Sequence, residues 1–488
     1  MRRMLWLVMA LMSPGVAFAH CEKPDSAAAV ERLCARLRAL LRPLEQRAQV
    51  GVVIADTRGR RYFEHNAGAP LTPASITKLF WTAAALATFG DSAFLCTRIL
   101  ADAPLEADGV VRGNLYVVGA GDALLSLQDL EELAAQLARC GVRRVTGSVF
   151  GDGSLFDNQR SRVQYSGDAD VVEPLPPITA LGFNRNEVRV VVNAVRGRVT
   201  AQAIPASPAF VVNVSGVRAV SAYRKRRPQR GARLSASSVV RDGIQYISIR
   251  GRVPAEGTWS LVVPMEQPEV ATAATFLQRL RAAGIQVDGG FGTKECKQPQ
   301  TVLAEWLRPL LQFLAVINKE SDNFVAEHLF KLLGSRAVGY GVQTERARSL
   351  LQTFLQRWGV SCRECRFRDG SGLSRQNRAS AADVVELLRA MLHTPFSGVF
   401  RQSLAMAGVD GTLKRRLRDT GTIGRIWAKT GTLRNASALA GYVYTADGEP
   451  LAFALLSFGN VARAKPVEDS VVAVVSRFSF CEALSHRE

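Results

Sequence analysis

The strongest constraint on this fold is an interruption. Residues up to about 93, and again from about 302, share one texture of apolar helices with a few strands between them. From about Phe94 to Thr293 short strands alternate with Gly and Pro turns instead. The same texture on both sides of a foreign one is what a single domain split by an insertion leaves in a sequence. We therefore expect residues 20–93 and 294–488 to form one discontinuous domain, and residues 94–293 an inserted β-rich region of two subdomains. Residues able to do chemistry fall on both sides of the insertion, so the two halves must meet to make one site.

The first of them is Pro73-Ala74-Ser75-Ile76-Thr77-Lys78. Lys78 to Gly90 reads as a buried helix ended by the glycine. Ser75 then sits in its first turn, with Lys78 one turn further along the same face. A serine hydroxyl needs a base to become a nucleophile. A lysine with a desolvated ammonium can be that base, and the free N–H groups of a helix N-terminus suit an oxyanion. The pair is unique here, because the chain has only ten lysines against 52 arginines. Taken alone, Ser-x-x-Lys is more often a solvated helix face.

Two further motifs, each also unique, change that balance: Ser321-Asp322-Asn323 and Lys429-Thr430-Gly431. Ser321 and Asn323 fall on a short turn between two apolar helices. Ser321 can relay protons between Lys78 and a leaving amine, and Asn323 can bond Lys78 and a substrate amide. The bland alternative is a helix N-cap. Lys429 opens an edge strand and offers a cation to a substrate carboxylate. Gly431 leaves room for a peptide alongside the strand, and the Thr432 N–H can join that of Ser75 in an oxyanion hole. A Ser-His-Asp triad is discounted, since His65, His328 and His393 have no Gly-x-Ser-x-Gly partner.

Around these motifs we expect helices at 26–48, 307–318, 321–333, 349–358, 383–393 and 467–484. Strands are expected at 50–56, 60–65, 429–432, 437–445 and 451–459. Inside the insertion, 128–140 and 268–283 read as helices.

Arg2 and Arg3, the apolar stretch Met4–Met12 and Ala17-Phe18-Ala19 make residues 1–19 a cleaved secretory signal peptide. Nothing later is long and apolar enough to span a bilayer, so a soluble periplasmic or extracellular product is expected. The net charge of +19 points to anionic partners. In that compartment these are envelope polymers or membrane surfaces, not nucleic acid. Arg224–Arg233 is the sharpest basic run, with a solvated hairpin tip as its ordinary reading. Cys21, Cys34, Cys96, Cys140, Cys296, Cys362, Cys365 and Cys481 sit where disulfides are the default. Cys362-x-x-Cys365 reads as a local disulfide.

With its motifs in place the chain resembles the low-molecular-mass class C penicillin-binding proteins, the penicillin-binding protein 4 type of D-alanyl-D-alanine carboxypeptidase/endopeptidase. The likeness runs from about residue 45 to 480. It is carried by PASITKL at Ser75, KESDN at 319–323, DGSGLSR at 369–375, GVDGTL at 408–413 and AKTGTL at 428–433. GAGD at 119–122 and PPITALGFNRN at 176–186 look like that family's inserted region, and the 246-residue step from Ser75 to Ser321 matches its long insertion.

The resemblance implies an α/β (α+β) catalytic domain of the penicillin-binding and serine β-lactamase type, with a mainly antiparallel sheet between helices. It implies acylation of Ser75 by the penultimate D-Ala of a peptidoglycan stem, with Lys78 as base, Ser321 and Asn323 as relay and Lys429 as carboxylate clamp. β-Lactams would acylate Ser75 and stay. No metal or cofactor is implied, and a dimer is compatible with it. An acidic residue from the insertion reaches the cleft in relatives; Asp168 is the candidate here, with Asp170 behind it. Gly370 and Ser371 are expected to shape the cleft rim. Two other readings share the motifs. A β-lactamase would differ in fast deacylation, and a peptidoglycan-binding scaffold would leave the cleft idle.

Overall fold

The structure is a computed structural model. It describes residues 26–168, 173–220, 232–297, 301–338 and 342–480. The expected signal peptide at 1–19, Asp170, Cys21, Cys481 and most of the basic run at 224–233 lie outside them.

Both ends of the chain build one six-stranded antiparallel sheet. Its order is Ala405–Met406, Ile426–Leu433, Ala436–Tyr444, Pro450–Gly459, Ala48–Asp56 and Arg61–His65. Ala48–Asp56 pairs along its whole length with Pro450–Gly459, from Ala48 opposite Gly459 to Asp56 opposite Leu451. The central strands are buried on both faces: Ser26–Glu45 and Ala464–Ser476 cover one side, and the helices around Ser75 the other. Such strands read as continuous apolar runs, which is how 437–445 and 451–459 appear in the sequence.

Thr77–Phe89 runs through the middle of the helical layer, every side chain from Thr77 to Leu86 buried. Gly90 ends it at φ +81°, its N–H returning to Leu86 O. Phe80 packs on Phe367 and Trp81 on Phe330, each pair with ring centroids 4.6 Å apart.

The inserted region has its own core, centred on Leu130, Val190, Ile247 and Phe276. A five-stranded mixed sheet carries it, ordered Phe291–Thr293, Val149–Asp152, Leu115–Val118, Phe94–Ala101 and Thr301–Pro309. Three three-stranded sheets accompany it: Gly257–Pro264, Glu187–Val195 and Arg198–Ile204 in one, Phe210–Val220, Ile244–Pro254 and Arg233–Arg241 in another, and the short strands Gln286–Val287, Arg144–Val145 and Val110–Val111 in the third.

Several elements differ from expectation. Residues 307–309 belong to the strand Thr301–Pro309, paired with Phe94–Ala101, and the helix starts at Leu310. An apolar run does not distinguish a strand that feeds a helix from the helix itself; Pro309 marks the break. Because that strand completes the inserted sheet, we propose that the insertion runs from Phe94 to Pro309. The last helix stops at Ser476. Cys362–Cys365 forms a disulfide, the one pair among the described residues. Cys34, Cys96, Cys140 and Cys296 have no disulfide partner among the described residues, the thiol of Cys34 being turned to Tyr62 O and that of Cys96 to Glu305.

Candidate active site

Ser75 sits not in the α-helix but on the one-turn 3₁₀ segment Ala74–Ile76 that feeds it. The turn is bought by an unusual residue: Ala74 has φ +49°, a left-handed conformation that costs an alanine energy. It is held from two sides. Gly372, at φ +85°, packs so closely that a Cβ there would lie 2.1 Å from Ala74 O. Gly431 passes beneath, where a Cβ would meet Pro73 O at 2.8 Å. The bulk missing at Gly431 therefore accommodates the serine turn, a different reason from the one the sequence suggested.

Lys78 is fully buried and its ammonium has three partners. It donates to Ser75 Oγ at 2.8 Å, Asn323 Oδ1 at 2.7 Å and Ser371 O at 2.5 Å. Burial lowers its pKa to about 8, and would lower it further but for the carboxylates of Asp369, Glu327, Asp322 and Glu173 around it. A lysine in that range is a workable general base near neutrality.

Ser321 also has a left-handed backbone, φ +62°, in the three-residue link between Leu310–Lys319 and Asn323–Arg336. Asp322, not Ser321, caps the second helix, accepting from Val325 N at 2.9 Å. An ion pair from Arg185 of the inserted region holds Asp322 from outside. Ser321 Oγ is thereby free to accept from Lys429 Nζ at 2.7 Å. Lys429 is fully buried and also donates to Thr430 O at 2.8 Å; desolvation, then Lys78, push its pKa well below the ordinary lysine value. Ser75–Lys78–Asn323 and Lys429–Ser321 thus form two hydrogen-bonded chains at one cleft.

That cleft, of about 390 Å³, is lined by Ser75, Glu173, Ser321, Asn323, Thr412, Thr430 and Thr432, among others. Thr430 Oγ1 bonds Thr412 Oγ1 at 2.9 Å. The strand Ile426–Leu433 is paired on one side throughout, but on the other only from Ile426 to Ala428, so, among the described residues, 429–433 present a free edge to the cleft.

Asp168 is not in the cleft. It is buried in an ion pair with Arg162 at 2.5 Å, and Ser374 Oγ donates to it at 3.0 Å. The acidic group that reaches the cleft from the insertion is Glu173, exposed, whose Oε2 accepts from Asn323 Nδ2 at 2.7 Å. Pro174 and Pro176 after it stiffen the segment that presents it.

Behind Lys78 lies a buried polar network that the motifs alone did not reveal. Asp369 accepts from Gly372 N, Ser374 N and Asn377 Nδ2, and pairs with Arg162 at 3.2 Å. Glu327 accepts from Tyr165 OH and from the backbone N–H groups of Gly370 and Ser371. Burial and the neighbouring Asp369 raise Glu327 to about 6. These bonds fix residues 369–374 so that the Ser371 carbonyl points at Lys78. Ser371 therefore holds Lys78 through its carbonyl, and does not merely shape the rim. A glutamate inside the apolar helix face of NFVAEHLF was the one signal available in the sequence, since a buried charge needs partners.

The D-Ala-D-Ala carboxypeptidase 3 (S13) family matches residues 33–477. The chain belongs to this family. It is, accordingly, a serine-type D-Ala-D-Ala carboxypeptidase. A D-alanyl-D-alanine carboxypeptidase from Actinomadura sp. (strain R39) is 32% identical over 453 residues, covering 88% of this chain and 82% of its own. The crystal structure of penicillin binding protein 4 from Haemophilus influenzae superposes with a TM-score of 0.72 at 22% identity, covering 90% of this chain and 97% of its own. A predatory peptidoglycan endopeptidase from Bdellovibrio bacteriovorus superposes at 0.52 and 14% identity, covering 88% and 94%. The fold is thus that of the penicillin-binding enzymes, with a mainly antiparallel sheet between helices. No helix among the described residues is long and apolar enough to cross a membrane.

Proposed function

We propose that the enzyme works outside the cytoplasm on peptidoglycan stem peptides, releasing the terminal D-amino acid and also cutting D-Ala cross-links, through an acyl-enzyme on Ser75. The observation that carries this is the position of Lys78 Nζ, 2.8 Å from Ser75 Oγ and wholly desolvated.

In this reading neutral Lys78 takes the Ser75 proton as Oγ attacks the penultimate D-Ala carbonyl. The oxyanion lies between the N–H groups of Ser75 and Thr432. Ser321, bonded to Lys429, relays the proton held by Lys78 to the departing amine as the C–N bond breaks, which returns Lys78 to its neutral form. Asn323 holds both Lys78 and the substrate amide, and Thr430 with Lys429 receives the carboxylate of the leaving residue. Water then attacks the ester by the same route reversed. Glu173 suits a cationic group on the stem, and the free edge at 429–433 suits its extended backbone. A β-lactam, entering by the same attack, would leave a stable adduct.

Incubation with a fluorescent penicillin, followed by intact mass, tests the assignment. A single adduct on the wild type and none on Ser75→Ala, with D-Ala release lost in parallel, is the expected result. Labelling retained by Ser75→Ala would remove Ser75 from the role. Rapid turnover of a chromogenic cephalosporin would favour the β-lactamase reading.

A further inference from the structure

The inserted sheet formed by Phe210–Val220, Ile244–Pro254 and Arg233–Arg241 has one face in the core and one in solvent. Gln245, Ile247, Ile249 and Val253 are buried, which fixes the register of the middle strand; the alternate residues Tyr246, Ser248, Arg250 and Arg252 must then face out. Across the strands the outward residues fall into rows. Arg252 lies opposite Arg218 on one neighbour and Arg233 on the other. Arg250, beside it on the same face, lies over Gly216, where a Cβ would come 2.8 Å from the arginine side chain. Next comes a hydroxyl and amide row, Asn213, Ser248 and Ser237, and then Val211, Tyr246 and Val239.

Like charges directly opposite one another destabilise a sheet. Arg218, Arg233, Arg250 and Arg252 are all exposed, and none forms an ion pair among the described residues. The acids nearest in sequence, Asp242 and Glu256, sit in the turns at either end of the middle strand and are not paired with them either. Three arginines in register with no internal counterion is an arrangement that folding alone does not favour. A polyanion laid across the sheet would neutralise it, each guanidinium offering a two-pronged contact to a carboxylate, sulfate or phosphate.

We propose that this face binds an anionic polysaccharide, holding the enzyme on its insoluble substrate or on a polymer attached to it. The order of the rows favours a glycan over a lipid surface. Tyr246, 38% exposed and flanked by two valines, offers a ring face to the C–H side of a sugar. The hydroxyl row beside it matches sugar hydroxyls, and the arginines the acidic groups. A membrane-binding face would instead set bulky apolar residues next to the cations, with no polar row between. No residue of this face lines the Ser75 cleft, so binding here and hydrolysis there are separable. The connection 221–231 lies outside the described residues and is left unchanged in the test.

The test measures binding of the mature protein to fluorescent heparin, to inorganic polyphosphate and to phosphatidylcholine vesicles containing phosphatidylglycerol, across a salt series. The variants are R218S/R233S/R250S/R252S, the matching four-lysine set, and Tyr246→Ala. The serine set should lose heparin affinity about tenfold or more and flatten its salt dependence, as loss of several ion contacts requires. The lysine set should stay close to wild type. Tyr246→Ala should weaken heparin about threefold and leave polyphosphate unchanged. All should release D-Ala from a small soluble peptide at the wild-type rate, which reports both an intact fold and the independence of the cleft. If the serine set does not fold, Arg252→Ser alone should cost about threefold. Heparin binding that survives the serine set, or that is indifferent to Tyr246→Ala, overturns the proposal. So does tighter binding to the vesicles than to heparin.

Discussion

Replacing Gly372 by alanine should cripple the enzyme while touching no reactive group. Gly372 holds φ +85°, which costs an alanine about 1–2 kcal/mol. Its new Cβ would lie 2.1 Å from Ala74 O, 2.6 Å from Ala74 C and 3.1 Å from Ser75 Cα, where 3.4 Å is the start of ordinary contact. These are backbone atoms, so they cannot rotate away. Either the 369–374 loop or the Ala74–Ile76 turn must retreat by about 1 Å, adding overpacking of about 1–3 kcal/mol. Both sides of that choice bear on the proposed chemistry: the turn carries Ser75, and the loop carries the carbonyl that Lys78 bonds. A misplacement of about 1 Å at a reacting group costs about 100-fold. The assay is the second-order rate of fluorescent-penicillin acylation, alongside a thermal melt. The control is Gly68→Ala, where nothing lies within 4 Å of the new Cβ. Acylation within threefold of wild type at an unchanged melting temperature would refute the idea that this contact sets the position of Ser75.

Neutral Lys78 becomes dominant above its pKa of about 8, so D-Ala release should rise with pH through an inflection near 8. The Glu327 carboxylate holds that pKa up, so Glu327→Gln should move the inflection to lower pH, read from the pH profile of kcat/KM. Glu173→Gln keeps the bond from Asn323 but removes the charge; KM should rise about two- to fivefold for stems with a cationic third residue and not for neutral ones, the scale of an exposed ion pair. Cys362→Ser with Cys365→Ser opens a very short loop and should cost about 2 kcal/mol by the chain-entropy relation, seen in denaturant unfolding, since Phe367 just beyond it packs on Phe80.

The residues we propose as reacting groups stand out in the sequence because such chemistry demands particular residue types at short spacing. Ser75 and Lys78 are three apart, Ser321 and Asn323 two apart, and local geometry carried each pair to its place. What a single residue does through distant partners was not legible. Asp168 and Glu173 are both acids in one poorly patterned stretch. Which enters the cleft is decided by Arg162, six residues before Asp168, which draws that carboxylate inward to a partner shared with Asp369. The strand at 301–309 was hidden for a related reason. Its apolar residues run on into a helix, and only its pairing with Phe94–Ala101, some 200 residues earlier, separates the two. Buried helices and central strands were found more easily, since their continuous apolar character does not depend on what they pack against.

The pairing of Ala48–Asp56 with Pro450–Gly459 also sets an order of assembly. A chain made amino end first delivers the helix after Ser75 early and the strand that backs it last. Until Pro450–Gly459 emerges, the hairpin of Ala48–Asp56 and Arg61–His65 has an unpaired inner edge, and Gly431 is not yet beneath the serine turn. The inserted region, with a core of its own, has no such wait. The cleft therefore closes into shape only when nearly the whole polypeptide is available to fold.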